Sequence, residues 1–224
     1  LYLVPARCSR KTLPLLLDET GRHIFAAGGH RSSKTTTGLT WLALQIIRRG
    51  GHDRRFWLVA PTDEKCFRLL AKLLAATPSP SGGEVAPILP SVLVARSPAT
   101  HRASNLQTVL IDGSIIDLRS FGADPSAARA KSDPIVAAIA DEAAHLPSAA
   151  WMSALRGRCV DLAGRLWLAS TATPSSILNE LVEKCREWAH LPQADPRRSN
   201  GEGAAWIFES LPMLDNPWLN RANV

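Results

Sequence analysis

Arg22 to Arg49 reads RHIFAAGGHRSSKTTTGLTWLALQIIRR, and this stretch predicts the fold. A short apolar run, Ile24 to Ala27, meets a small-residue loop, Gly28 to Ser33; Lys34 and Thr35 then open a helical pattern. Leu39, Leu42, Ala43 and Ile46 recur at i, i+3, i+4 and i+7, which gives the helix one apolar face. Strand, loop and helix N-terminus in that order make a phosphate cradle, because loop N–H groups and the helix dipole both face an anion. The spacing is G-x-x-x-x-G-K-[ST], with Ser33 in place of the second glycine. Serine there has to accept a backbone conformation that glycine takes more easily.

In this pattern Lys34 would reach the β- and γ-phosphates of ATP, and the Thr35 hydroxyl would bind Mg²⁺. Gly28, Gly29, His30, Arg31, Ser32, Ser33 and Thr36 complete the nucleotide-binding stretch. The plain alternative is a Gly/Ser turn ahead of a surface helix with a solvated lysine.

The chain has 224 residues, 46% of them hydrophobic, so it is long enough for one large domain or two small ones with a sizeable core. No apolar run approaches the roughly 18 residues of a membrane span. The start, LYLVPARCSRK, lacks the pattern of a secretory signal, and both ends read as cut. Cys8, Cys66, Cys159 and Cys185 are scattered without a C-x-x-C pair, which argues against zinc and disulfide frameworks and for reduced, buried thiols in a cytosolic compartment. A net charge of +6 tolerates a polyanionic partner without showing one. Arg48, Arg49, Arg54 and Arg55 form a basic cluster that fits DNA contact or a helix C-terminus loaded with cations.

Around the cradle the chain alternates. Residues 1–21, with Leu13, Leu15, Leu16 and Leu17 around Pro14, read as a lead-in. Gly50 and Gly51 end the first helix, and Phe56 to Ala60 has the size of a buried parallel strand. Asp63 to Ala76 reads as a helix with Leu69, Leu70, Leu73 and Leu74 apolar, and residues 77–91 as a loop. In residues 106–121 two β-prone runs flank Asp112-Gly113, which favours a hairpin with a type I′ turn at the sheet edge. Residues 148–158 read as a short helix, 177–188 as a longer one with Glu180, Glu183 and Glu187 on its solvated face, and 204–211 as a last strand.

Ile135 to Ala140 is a buried-strand run that ends in Asp141-Glu142. It delivers two carboxylates at the C-terminal edge of a sheet, where ligands bind in open α/β folds. Asp141 would hold Mg²⁺ and Glu142 would orient and deprotonate the attacking water. An acidic helix N-terminus is the alternative. Arg165 to Ser170 is a further strand, followed by Thr171, Ala172, Thr173 and Pro174, where hydroxyl side chains can sense a γ-phosphate. An ordinary strand-to-helix turn reads the same way.

GGHRSSKT, FWLVAPT, the DG hairpin, IVAAIADEAAHLP and LASTATP, in this order, resemble the ATPase domain of the large terminase subunit of tailed double-stranded DNA phages. The resemblance covers residues 22–217. It implies an α/β P-loop NTPase of the additional-strand, catalytic-glutamate type, with ATP and Mg²⁺ as cofactors. It implies a motor that drives double-stranded DNA into a procapsid, in the host cytoplasm. Its partners would be the portal ring and the small terminase subunit, and it would assemble as a homo-oligomeric ring or stay monomeric in isolation. Lys34 and Thr35 match the phosphate and Mg²⁺ positions, Asp141 and Glu142 the metal-binding and catalytic carboxylates, and Ser170, Thr171, Ala172 and Thr173 the coupling motif. Arg129, in ADPSAARAKSD, matches an arginine finger supplied to the neighbouring subunit. The family's P-loop arginine falls on His30, with Arg31 one position later. Residues 218–224 resemble the start of a connector to a nuclease domain. The first motor domain of a superfamily 2 helicase is the competing resemblance, through DEAAH and STATP. A nucleotide-binding module without hydrolysis is a third reading, against which Glu142 argues.

Overall fold

The computed structural model describes residues 12–18, 20, 23–29, 32–78, 84–96, 106–120, 133–146, 149–171, 176–192, 195–196 and 206–211. Helix α1 (Leu13–Leu17) leads into β1 (His23–Gly28), α2 (Lys34–Arg49), β2 (Arg55–Ala60) and α3 (Asp63–Leu74). Two-residue strands β3 (Thr77–Pro78) and β4 (Glu84–Val85) pair with each other. Then come β5 (Val94–Arg96), β6 (Gln107–Leu110), β7 (Ile115–Ser120) and β8 (Ile135–Ala140). Helix α4 (Ala149–Cys159), β9 (Arg165–Ser170), α5 (Ser176–His190) and β10 (Trp206–Leu211) complete the described elements.

Among the described residues, eight strands form one sheet in the order β10-β1-β9-β8-β2-β7-β6-β5. The six from β10 to β7 run parallel; β6 runs antiparallel to both of its neighbours, β7 and β5. Strand β9 stands between β1, which leads into the glycine-rich loop, and β8, which ends at Asp141. That inserted strand makes the sheet the additional-strand form of a P-loop NTPase fold.

Helices on both faces explain why β8 and β9 are buried at every residue, and why β8 and the Leu166–Ala169 segment of β9 read as apolar runs. Ile24, Ala26, Leu58, Ile139 and Trp167 pack on one face with Leu39 and Leu42 of α2 and Leu70 of α3. Phe25, Val59, Ala138 and Leu168 pack on the other with Leu155 of α4 and Leu178 and Leu181 of α5. Helix α2 lies close against β8 and β9. A Cβ on Gly38 would stand 2.5 Å from Ile139 Cδ1 and 2.6 Å from Trp167 Nε1.

Three expectations change in detail. The 106–120 hairpin forms, but β7 joins β2 in parallel and β5 covers β6, so the hairpin is not the sheet's edge. Its turn is not type I′, which needs positive φ at both central residues. Only Gly113 of the pair lies there, at φ 83. Gly113 N–H donates to Leu110 O and Leu110 N–H to Ser114 O, which makes a three-residue loop with a glycine bulge. Asp112 Oδ1 accepts from Ser114 N–H at 2.9 Å, a local bond that keeps Asp112 out of the left-handed region. Finally, the 77–91 loop contains β3 and β4 and buries Ile88 and Leu89, and Leu89 N–H donates to Leu73 O at 2.8 Å.

The lead-in packs through Leu15 and Leu16, while Leu13 and Leu17 are exposed. Asp18 anchors it: Arg165 donates to its carboxylate at 2.6 Å and to its carbonyl at 2.9 Å. Cys66, Cys159 and Cys185 are buried thiols outside any disulfide; Cys8 lies outside the described residues.

Candidate functional site

The parallel strands end together, at Gly28, Ala60, Ala140 and Ser170, and the site lies along that edge. At Gly28 the loop folds back so closely that a Cβ would meet Leu211 O at 2.2 Å and Ser32 Oγ at 2.6 Å. Ser33, the N-cap of α2, is left-handed at φ 61, ψ 6, the conformation glycine takes without a side-chain penalty. This turn brings Lys34 inward. Lys34 is only 8% exposed, and its ammonium donates to Gly29 O at 3.0 Å. Burial lowers its pKa, and the charges of Asp141 and Glu142 partly oppose that fall.

Across the sheet edge, Thr35 Oγ1 donates to Asp141 Oδ1 at 2.7 Å. Asp141 N–H is fixed to Val59 O of β2 at 2.9 Å. Burial raises the Asp141 pKa; the Thr35 hydrogen bond opposes the rise and the neighbouring Glu142 charge adds to it. Glu142 follows with a left-handed backbone, φ 53, ψ 42. Its Oε2 pairs with Lys65 Nζ from the first turn of α3. Ser170 Oγ accepts from Ala144 N–H at 3.1 Å and donates to Thr171 O at 2.9 Å, which ties the end of β9 to the turn after Glu142.

The donor set fits a polyphosphate with a hard cation. Ser32 Oγ and Ser33 Oγ are buried without a hydrogen-bond partner, beside a buried ammonium at a helix N-terminus. Orphaned polar atoms of that kind are costly unless a ligand engages them. The hydroxyl of Thr35 and the carboxylate of Asp141 are oxygen donors within one hydrogen bond of each other, the chemistry that Mg²⁺ prefers.

Of the residues singled out from the sequence, Gly28, Gly29, Ser32, Ser33, Lys34, Thr35, Asp141, Glu142, Ser170 and Thr171 gather at this edge. Thr36 is the third residue of α2, and its carbonyl accepts from Thr40 Oγ1 at 2.9 Å. His30, Arg31, Arg129, Ala172 and Thr173 lie outside the described residues. The basic cluster is partly engaged within the chain. Arg49 donates to Leu162 O and Ala163 O, and Arg55 pairs with Asp117 and Asp133. Lys65 escaped the sequence reading, because a lysine in the first turn of an amphipathic helix has no signature of its own.

No family model and no curated protein matches the chain. Solved structures do. The large terminase of a thermophilic bacteriophage superposes with a TM-score of 0.63 at 16% identity, over 96% of this chain and 48% of that one. The fold is that of the phage large terminase ATPase domain. The ATPase domain of the Thermus phage P74-26 large terminase matches with a TM-score of 0.54 at 17% identity, over 94% of this chain and 82% of that one. The HK97 bacteriophage large terminase matches with a TM-score of 0.55 at 14% identity, over 94% and 43%. The chain thus spans about half the length of the thermophilic phage's whole terminase. Structures of that same terminase include complexes with ATP-gamma-S and with ADP.

Proposed function

We propose that this chain is the ATP-hydrolysing motor domain of a phage large terminase, driving double-stranded DNA into a procapsid. The observation that carries the reading is the Thr35–Asp141 hydrogen bond, which joins the loop-bearing helix to the acidic strand beside a buried lysine. In this reading Lys34, the loop N–H groups and the Ser32 and Ser33 hydroxyls bind the phosphates. Thr35 and Asp141 hold Mg²⁺, which would neutralise phosphate charge when bound. Glu142 accepts a proton from water as the water oxygen bonds to the γ-phosphorus and the bond to the bridging oxygen breaks, releasing ADP. Ser170 and Thr171, with Ala172 and Thr173, couple that event to movement, and Arg129 reaches a neighbour's site. Residues 22–217 form the ATPase domain, 1–21 its lead-in, and 218–224 lead toward a nuclease domain. The motor would work as a ring with the portal ring and small terminase subunit, in the cytoplasm of the infected host.

The test is ATP binding and DNA-stimulated phosphate release. Lys34→Ala should lose ATP affinity. Glu142→Gln should keep Mg²⁺-ATP and lose turnover, since an amide cannot take the proton. Parent-level turnover in Glu142→Gln would sink the assignment. Duplex unwinding in place of translocation would favour the helicase reading.

A further inference from the structure

A cavity of about 530 Å³, a volume usual for small-molecule sites, opens at the sheet edge opposite Lys34 and Asp141. It is lined by His23 at the start of β1, by Ser153, Arg156, Gly157 and Val160 of α4 and the turn after it, and by Ala163 ahead of β9. The far wall is preformed. Arg49 of α2 donates to Leu162 O and Ala163 O, and Gly164 N–H donates to Cys159 O at 2.6 Å. Ala163 is held left-handed there at φ 46, which is unfavourable for a residue with a side chain. Gly157 keeps the floor open. It lies within α4, where glycine is a poorer helix former than alanine. Packing does not demand it, since an added Cβ would meet nothing within 4 Å.

The polar groups suit one anion. Arg156 supplies a cation with a planar fork that matches a carboxylate. His23 Nδ1 accepts from Leu166 N–H at 3.1 Å, which puts the proton of the neutral ring on Nε2 as a second donor. The Ser153 hydroxyl is a third. One guanidinium beside a neutral imidazole balances a single negative charge. Val160, which is 75% exposed, offers with Ala163 an apolar wall that a hydrocarbon body would cover. Cys159 brings no nucleophile: its Sγ donates to Leu155 O at 3.3 Å, and burial pushes the thiol up to about 12. The cavity is built to bind and not to react. We propose that it holds a small organic anion, a single carboxylate on a short apolar body, independently of the nucleotide edge.

The test titrates benzoate, benzamide and benzylammonium into the whole isotope-labelled chain at neutral pH, following the NMR signals of the His23 ring and the Val160 methyls. Benzoate should move both signals with a Kd on the order of 1–10 mM, the strength open to so small a ligand. Benzamide, which lacks the charge, should bind about tenfold more weakly, and benzylammonium not at all. Arg156→Gln should raise the benzoate Kd about tenfold. Gly157→Leu, whose side chain fills the cavity, should abolish binding. Lys34→Ala should bind benzoate as the parent does, which separates this site from the phosphate loop. Unmoved His23 and Val160 signals, equal binding of benzamide, or loss of binding in Lys34→Ala overturns the proposal. So does parental affinity in Gly157→Leu at the parental thermal midpoint. If Gly157→Leu melts lower than the parent, Gly157→Met takes its place under the same criteria.

Discussion

The Thr35 hydroxyl donates to Asp141 Oδ1 at 2.7 Å, joining residues 106 positions apart in the chain. The bond does not offset the burial of the carboxyl, whose pKa is raised from 3.8. Between 3.8 and its raised value the native state holds more protons than the unfolded chain, so stability falls as pH rises through that window. Above it the full penalty is present. Asp141→Asn should therefore be more stable than the parent in urea at pH ~7.5, with the gap closing toward pH ~4. Mg²⁺-dependent nucleotide affinity should fall in the same variant. Lower stability at neutral pH would show that the Thr35 bond outweighs burial.

Ser33 makes a second case of strain at the site. Its φ of 61 places a side-chain-bearing residue in the left-handed region, and its hydroxyl is buried without a partner. Ser33→Gly removes both costs and adds chain entropy to the unfolded state. The net expectation is a gain of about 1 kcal/mol. Ser33→Ala relieves only the hydroxyl and should gain less. Urea midpoints of the two variants decide the matter; an Ala variant as stable as the Gly variant would mean the backbone is unstrained.

Much of this was legible because buried parallel strands leave unbroken apolar runs. IVAAIA and the LWLA segment of 166–169 are legible directly, as is the loop after Ala27. The order of strands in the sheet is not. Nothing local says that β9 enters between β1 and β8, since that follows from the packing of α2 across both. The hairpin turn departs from the dipeptide rule, which does not weigh the bond that Asp112 Oδ1 accepts from Ser114 N–H. Within the candidate site, the glycine-rich loop and the acidic pair carried spacing signals. Lys65 carried none, because its partner lies 77 residues away.

Gly38 tests how far helix packing sets the site. Alanine is the better helix former by about 1 kcal/mol. Its Cβ, however, would press on Ile139 and on the fully buried Trp167 ring at 2.5 to 2.7 Å. Both side chains are fully buried in the core, so Gly38→Ala should destabilise by about 1–2 kcal/mol net of propensity. It should also weaken ATP binding, because lifting α2 moves Lys34 and Thr35 away from Asp141. A variant as stable as the parent would show a looser contact between helix and sheet.

His23 offers a check at the opposite end of the sheet. Its Nδ1 accepts from Leu166 N–H at 3.1 Å, and its ring lies 4.8 Å from that of Trp206. Burial, with the charges of Arg156 and Arg165, lowers its pKa from 6.5 to about 4. Here the unfolded chain binds the extra proton between those values, so stability is full above pH ~6.5 and is lost as pH falls toward 4. Protonating Nδ1 also removes the acceptor that holds Leu166, which couples the loss to the β1–β9 pairing. His23→Gln does not titrate in this range. The parent's advantage over it in urea should therefore shrink steadily from pH 7 to pH 4. A constant difference across that range would mean that His23 keeps its ordinary pKa and that the first strand's end is wetter than the packing implies.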